Sequence, residues 1–304
     1  MSAKKRTQKS SGGGVPTVVR WVILVLSGAF FMPLVAAGLL FATTFILWQK
    51  VGDDLLASDD YQVAAEDIEI SPLPEWIRAT DVRGQVFNYL GPMSIMDEDA
   101  VERVANAFRL HPWVERVVRV SKHHPSRIRV ELEYRRPVCL VQVSNDKFFC
   151  VDVRGVWLPD TDFDQDEPSP YPIVVGITSG PVAGVGDCWG DERVVGAAEI
   201  AAQFGDPWRE LDLDRIIAIG EPRQEYTYDL VTRKGTRVIW GCSPRGTDAQ
   251  EIPATTKIER LRRYAIAHGS LEGLNGPQKI DVSRPEGLRI VGEPVITYAD
   301  GNLR

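Results

Sequence analysis

One run of 28 residues without a charge, Trp21 to Trp48 (WVILVLSGAFFMPLVAAGLLFATTFILW), constrains this chain more than any other feature. A helix needs about 20 apolar residues to cross the hydrocarbon core of a bilayer, so the run predicts a transmembrane helix over residues 21–48. Trp21 and Trp48 bracket it as interfacial aromatics do. Pro33 would kink it, which a membrane helix tolerates. The rival is a cleavable signal peptide, whose apolar core is about 7–15 residues. The small-residue site Ala36–Gly38 could be cut only in the middle of the run. An uncleaved anchor is the expectation.

Charge gives the anchor a direction. Lys4, Lys5, Arg6, Lys9 and Arg20 put +5 on the first twenty residues with no acid, against −7 for the whole chain. By the positive-inside rule the tail, residues 1–20, stays in the cytoplasm. Asp53, Asp54, Asp59 and Asp60 begin the far side, so the rest is expected outside the cytoplasmic (inner) membrane. A single span with a large outer part is neither channel nor carrier. The acidic balance also argues against a general nucleic-acid binder.

Residues 49–66 read as an acidic linker. Asp67–Ser71 alternates like a short strand. Trp76–Leu90 reads as a helix with Thr80 or Asp81 as its cap. A second helix opens at Asp97 and puts Val101, Val104, Ala105 and Phe108 on one face, with acids in its first turn and Arg109 in its last. Val117–Lys122 is a strand, HHPS (His123–Ser126) a turn, and Arg127–Arg135 alternates charged with apolar residues at strict period two. The order is strand, helix, helix, strand, strand. Past Pro137 short strands and loops take over, interrupted by helices at Arg193–Phe204 and Ala254–Ala267. Lys279–Val282 and Leu288–Val291 close the ordered part. The acids of Asp160–Glu167 read as a solvated loop.

Three of the four histidines, His111, His123 and His124, crowd among arginines between Arg109 and Val138. A metal needs donors that converge at about 2.0–2.1 Å. Adjacent His123 and His124 would point to opposite faces of a strand, and no HExxH accompanies them. The arginines alternate with glutamates on one strand face, which neutralises itself instead of forming a phosphate track. Neither metal nor nucleic acid is expected. DCWGDE (Asp187–Glu192) could offer paired carboxylates, but acids also suit a helix N-terminus. GCSPRG lacks a nucleophile-elbow pattern. No P-loop or GxGxxG motif appears. No catalytic residue, cofactor or small-molecule substrate is expected, although an extracytoplasmic enzyme is the third hypothesis.

Cys139 and Cys150 flank a hairpin with its turn near Asn145. In an oxidising space they would form a cross-strand disulfide if the register sets them opposite. Otherwise they are two small buried side chains.

Around these residues the chain resembles the bacterial division proteins FtsQ/DivIB. The pattern is carried by Trp113, Val114, Val120, Pro125, Ile128, Val130, Glu133, Arg135 and Pro137, then Asp152 and Gly155. The ending GTRVIWG, a helix with Lys257 and Leu261, and KIDVSRPEGLRIV are similar to the family's closing segments. The likeness runs from about Asp67 to Val291, although the family's usual V-x-G-N after the first strand is absent. It implies an α+β chain with one N-terminal transmembrane helix, a POTRA domain (β-α-α-β-β) over 67–137, a β-rich domain with two helices over 138–292, and a C-terminal tail over 293–304. It also implies a non-catalytic scaffold at the division septum that binds other division proteins. The family's last strand docks a small coiled-coil membrane partner. The matching residues are Gly287, Leu288, Arg289, Ile290 and Val291, which could equally be a final core strand. A POTRA-containing envelope assembly or secretion factor is the alternative.

Overall fold

The computed structural model describes residues 17–56, 61–143, 147–163, 170–220, 226–245, 251–274, 276–291 and 295–296. The expected turn at Asn145, most of the basic tail and the end of the chain lie outside them. The chain divides into two compact units, 1–62 and 63–304.

The first unit is helix α1 (Thr17–Leu56), which contains the expected span and outruns it at both ends. Forty residues make a helix about 60 Å long, twice the hydrocarbon thickness. Its window Met32–Gln49 is long and apolar enough to cross a membrane. The two threonine hydroxyls within that window are satisfied in place. Thr43 Oγ1 donates to Leu39 O at 2.9 Å and Thr44 Oγ1 to Leu40 O at 2.6 Å. The helix continues through Pro33.

The second unit is mixed α+β. It begins with β1 (Ile68–Ile70), α2 (Val82–Leu90), α3 (Ala100–Arg109), β2 (Val114–His123) and β3 (Arg127–Tyr134), the order read from the sequence. β3 is central, parallel to β1 and antiparallel to β2. Its period two becomes a buried face of Ile128, Val130 and Leu132 and a wet face of Arg127, Arg129, Glu131 and Glu133. The wet face pairs with its neighbours: Arg116 with Glu133 at 2.6 Å and Arg129 with Glu69 at 3.0 Å. Such exposed pairs are screened by water and add little to stability. β2 is longer than its alternation suggested, because register shifts at 114/116 and 117/119 break the period.

The second sheet has nine strands in the order β12-β11-β10-β9-β8-β7-β6-β4-β5. They are β4 (Pro137–Val143), β5 (Lys147–Asp152), β6 (Ile173–Val175), β7 (Leu213–Ile219), β8 (Thr227–Thr232), β9 (Arg237–Gly241), β10 (Lys279–Asp281), β11 (Leu288–Ile290) and β12 (Val295–Ile296). α4 (Glu192–Phe204), α5 (Pro207–Glu210) and α6 (Ala254–His268) complete it. Trp189, Trp208, Trp240, Phe204, Ile216 and Leu230 form much of its core. Gly196 lets α4 approach β8: a methyl there would sit 2.1 Å from the Tyr228 hydroxyl oxygen.

The two sheets meet at two carboxylates. Asp152 is buried, takes a 2.7 Å ion pair from Arg135, and accepts the N–H groups of Arg154 and Val156. Asp162 is also buried. Its Oδ1 accepts the N–H groups of Arg78 and Ala79 at 2.7 Å and of Thr80 at 3.1 Å. Its Oδ2 accepts Trp113 Nε1–H at 2.9 Å and the Thr80 hydroxyl. In the described part of the acidic loop Asp160 and Thr161 are exposed, as expected of a solvated segment, but Asp162 turns inward as an anchor.

Several expectations are corrected. Trp76–Asp81 is not helical, because the N–H groups of residues 78–80 turn to Asp162, and Asp81 caps α2 by accepting from Gly84 N. The four-residue α5, started by Pro207, is a third helix where two were expected. Val156–Leu158, which reads as a short strand in the sequence, makes isolated bridges instead, Val156 to Cys188 and Trp157 to Val151. The disulfide is excluded by register. Cys139 pairs with Val151 and Cys150 with Leu140, so the two thiols lie on opposite faces of the hairpin, buried and free. Burial pushes both thiols well above their ordinary range.

Candidate partner-binding edge

The terminal strands are held from behind by α6. Lys257 is buried on the inner face of that helix. Its ammonium donates to Trp240 O at 2.6 Å, pairs with Glu251 and lies 4.6 Å from the centre of the Trp240 ring. Burial lowers its pKa, opposed by the hydrogen bond and charge of Glu251. Glu251 also accepts from Cys242 N at 3.2 Å, tying the end of β9 to the start of α6. One turn on, Arg260 donates to Arg284 O at 2.6 Å and to Pro285 O at 2.8 Å. This two-pronged guanidinium pins the connection between β10 and β11. Within that connection Asp281 Oδ1 accepts from Ser283 N and Oγ, a local turn bond of the Asx kind. Gly287 follows at φ 141°, a conformation side chains rarely adopt.

Of the five residues expected to bind a partner, Gly287 ends the turn and Leu288, Arg289 and Ile290 form β11. Val291 follows β11, donates to Lys279 O at 2.8 Å, and is half exposed. Leu288 is buried, Arg289 exposed and Ile290 half-buried. The five are contiguous, but they are not the edge. β11 pairs with β10 on one side (Asp281↔Arg289, Ile280↔Ile290) and with β12 on the other (Leu288↔Ile296, Arg289↔Val295). The edge is Val295–Ile296, inside the segment expected as a tail. Because Val291 bonds to Lys279, alternation makes Arg289 face β10 and turns the backbone groups of Leu288 and Ile290 toward β12.

The other sequence candidates fall to structural roles. His111 Nδ1 accepts Trp113 N–H at 3.2 Å and its Nε2 lies 3.2 Å from Gln85 Oε1, so the ring is the Nε2–H tautomer. His123 contacts Ser121 Oγ, far from convergent ligation. Among the described residues no group of three or more His, Cys, Asp or Glu could hold a metal. Asp191 of DCWGDE is the N-cap of α4, accepting Arg193 N–H at 2.9 Å and pairing with the Arg193 guanidinium at 2.7 Å. A cleft of about 490 Å³ lined by Trp76, Arg136, Tyr171, Trp208 and Arg209 includes Asp152. That carboxylate is fully engaged by Arg135 and two backbone N–H groups, which leaves no free acid–base pair at it.

Comparison with protein-family models and with curated proteins found no match. Sequence reasoning did not find Arg260 or Asp162. Arg260 acts through backbone carbonyls, which leave no trace in side-chain pattern. Asp162 sits in an acidic run where its neighbours give no sign that one carboxyl points inward.

Proposed function

We propose that this chain is a single-pass, non-catalytic scaffold of the bacterial cell-division complex, like the FtsQ/DivIB proteins it resembles. Residues 67–137 act as a POTRA domain and 138–292 as the partner-holding β-domain. The basic tail lies in the cytoplasm, the remainder outside, with enrichment at the septum. The observation that carries the reading is β11. Its Leu288 and Ile290 backbone groups face a side of the sheet where, among the described residues, only the two-residue β12 lies. Strand addition of a partner segment there would supply main-chain hydrogen bonds, with Leu288 and Ile290 setting the register. The β-α-α-β-β lobe with order β1-β3-β2 supports the same reading.

Ile290→Pro removes the N–H that faces the partner side and should abolish partner capture while leaving the first lobe folded. Live imaging of an N-terminal fluorescent fusion tests the role itself. A band at the division site supports it, and the Ile290→Pro variant should still reach the septum if the first lobe and anchor suffice for localisation. An even envelope signal through the whole cell cycle refutes a division role. It would favour the second reading, an envelope assembly or secretion factor. That reading draws on β2, ten residues long and unpaired on one side among the described residues.

A further inference from the structure

The partner side of β11 is already occupied by the chain itself. Among the described residues β12 is Val295–Ile296 and pairs with β11 through Leu288↔Ile296 and Arg289↔Val295. Four residues separate it from Ile290 in the sequence, and among the described residues no strand covers its outer side. Residue 294, just before it, is a proline, which has no N–H to give to a ladder. A net backbone hydrogen bond contributes little, while ordering each residue costs as much or more. Two paired residues therefore hold the position only marginally. β10 and β11 are better secured, by Arg260, by the Asp281–Ser283 turn and by burial of Ile280 and Leu288.

We infer that β12 is a self-plug: a partner strand binds by displacing Val295–Ile296 from β11, not by adding outside them. This rests on the reading of the terminal strands as the partner site. The chain would then carry a built-in competitor. Apparent affinity is reduced by the fraction of molecules in which β12 is bound, and removal of the plug restores it. The plug also protects an exposed edge until a partner arrives.

The test needs no identified partner. The probe is a fluorescein-labelled peptide of the chain's own residues 291–300 (VGEPVITYAD), its binding read by anisotropy on the purified chain in detergent. Three proteins are compared in a Cys188→Ser background: the full chain, a chain ending at Val291, and Arg289→Cys/Val295→Cys. Positions 289 and 295 are a register pair of the non-hydrogen-bonded kind, whose Cα separation of about 4.5 Å suits a disulfide. The chain ending at Val291 should bind on the order of tenfold tighter than the full chain. The oxidised double-cysteine protein should not bind, and reduction should restore the affinity of the full chain. Equal binding by oxidised and reduced protein overturns displacement, because the partner strand would then add outside β12. No gain on truncation, in a chain whose melting temperature is kept, overturns the plug. The readout is independent of cell division. An even envelope signal in imaging would remove the division role and leave the plug standing, and failure here would leave septal localisation untouched.

Discussion

Replacing Asp162 by alanine should loosen the junction between the two sheets, and the size of the effect can be worked from its partners. The carboxylate receives five hydrogen bonds: three from the backbone at Arg78, Ala79 and Thr80, one from the Thr80 hydroxyl and one from Trp113 Nε1. Arg78 and Ala79 are exposed, so water can replace the carboxylate at their N–H groups. Trp113 is fully buried and Thr80 nearly so. The indole N–H and the Thr80 N–H lose their acceptor at about 1–3 kcal/mol each, while the Thr80 hydroxyl keeps a 3.4 Å contact with Thr161 Oγ1, giving a loss of about 4 kcal/mol. At roughly 3 °C per kcal/mol for a unit of this size, the melting temperature should fall about 12 °C. Denaturant titration followed by tryptophan emission, on the full chain in detergent, measures it. A double-mutant cycle with Trp113→Phe isolates the indole bond and should return a coupling of about 1–2 kcal/mol. A total loss below about 1 kcal/mol, or no coupling, would refute the anchoring role. The pH dependence gives an independent check. Burial works to raise the Asp162 pKa, but the bonds from Thr80, Ala79 and Trp113 outweigh it and hold the carboxyl below its ordinary 3.8. A depressed folded pKa means stability that is present above 3.8 and lost as pH falls through the folded value. Asp162→Asn should flatten that acid limb.

Two further predictions concern packing and titration. Gly196→Ala should drive a methyl into the Tyr228 hydroxyl and destabilise by about 3 kcal/mol, read as a lower melting temperature, with partial recovery in Gly196→Ala/Tyr228→Phe. Burial lowers the His111 pKa below 6.5, against the opposing charge of Asp162, so stability should decline as pH falls below 6.5 toward the folded value. Proton uptake at Nδ1 would break the contact with Trp113 N–H. Unfolding midpoints between pH 7 and 5 should therefore drop more in the native chain than in His111→Gln.

Local order was legible wherever one face of an element decides its form. The alternation of Arg127–Arg135 became β3, and the period of Val104, Ala105 and Phe108 became the buried face of α3. What could not be read was set by distant partners. The helix expected from Trp76 begins at Val82 because a carboxyl about eighty residues away takes the intervening N–H groups. The Cys139–Cys150 bridge depended on a register fixed at the Pro137 end, where a shift of one residue turns a thiol to the other face. The edge expected at Gly287–Val291 is β11, paired on both sides, and the terminal strand among the described residues is Val295–Ile296. A two-residue strand such as Val295–Ile296 is too short to show any period.

Part of the likeness to FtsQ/DivIB, at Trp113, Arg135, Asp152 and Gly155, gathers at the junction of the sheets, while its closing segment runs through β10 and β11. Trp113 bonds Asp162, and Arg135 bonds Asp152 while its carbonyl accepts Trp76 Nε1–H at 3.0 Å. Gly155, at φ 71°, turns the chain beneath Val195 of α4, where a methyl would sit 3.1 Å from the valine side chain. Every one of these contacts serves folding. A chain could keep this part of the motif for the sake of that junction and still hold a different partner, because fold and function are separable. On the proposed reading, partner choice is decided where the junction exerts no constraint, at β11 and the two described residues that cover it. That is why displacement of Val295–Ile296 tests the proposed role more directly than any substitution at the junction.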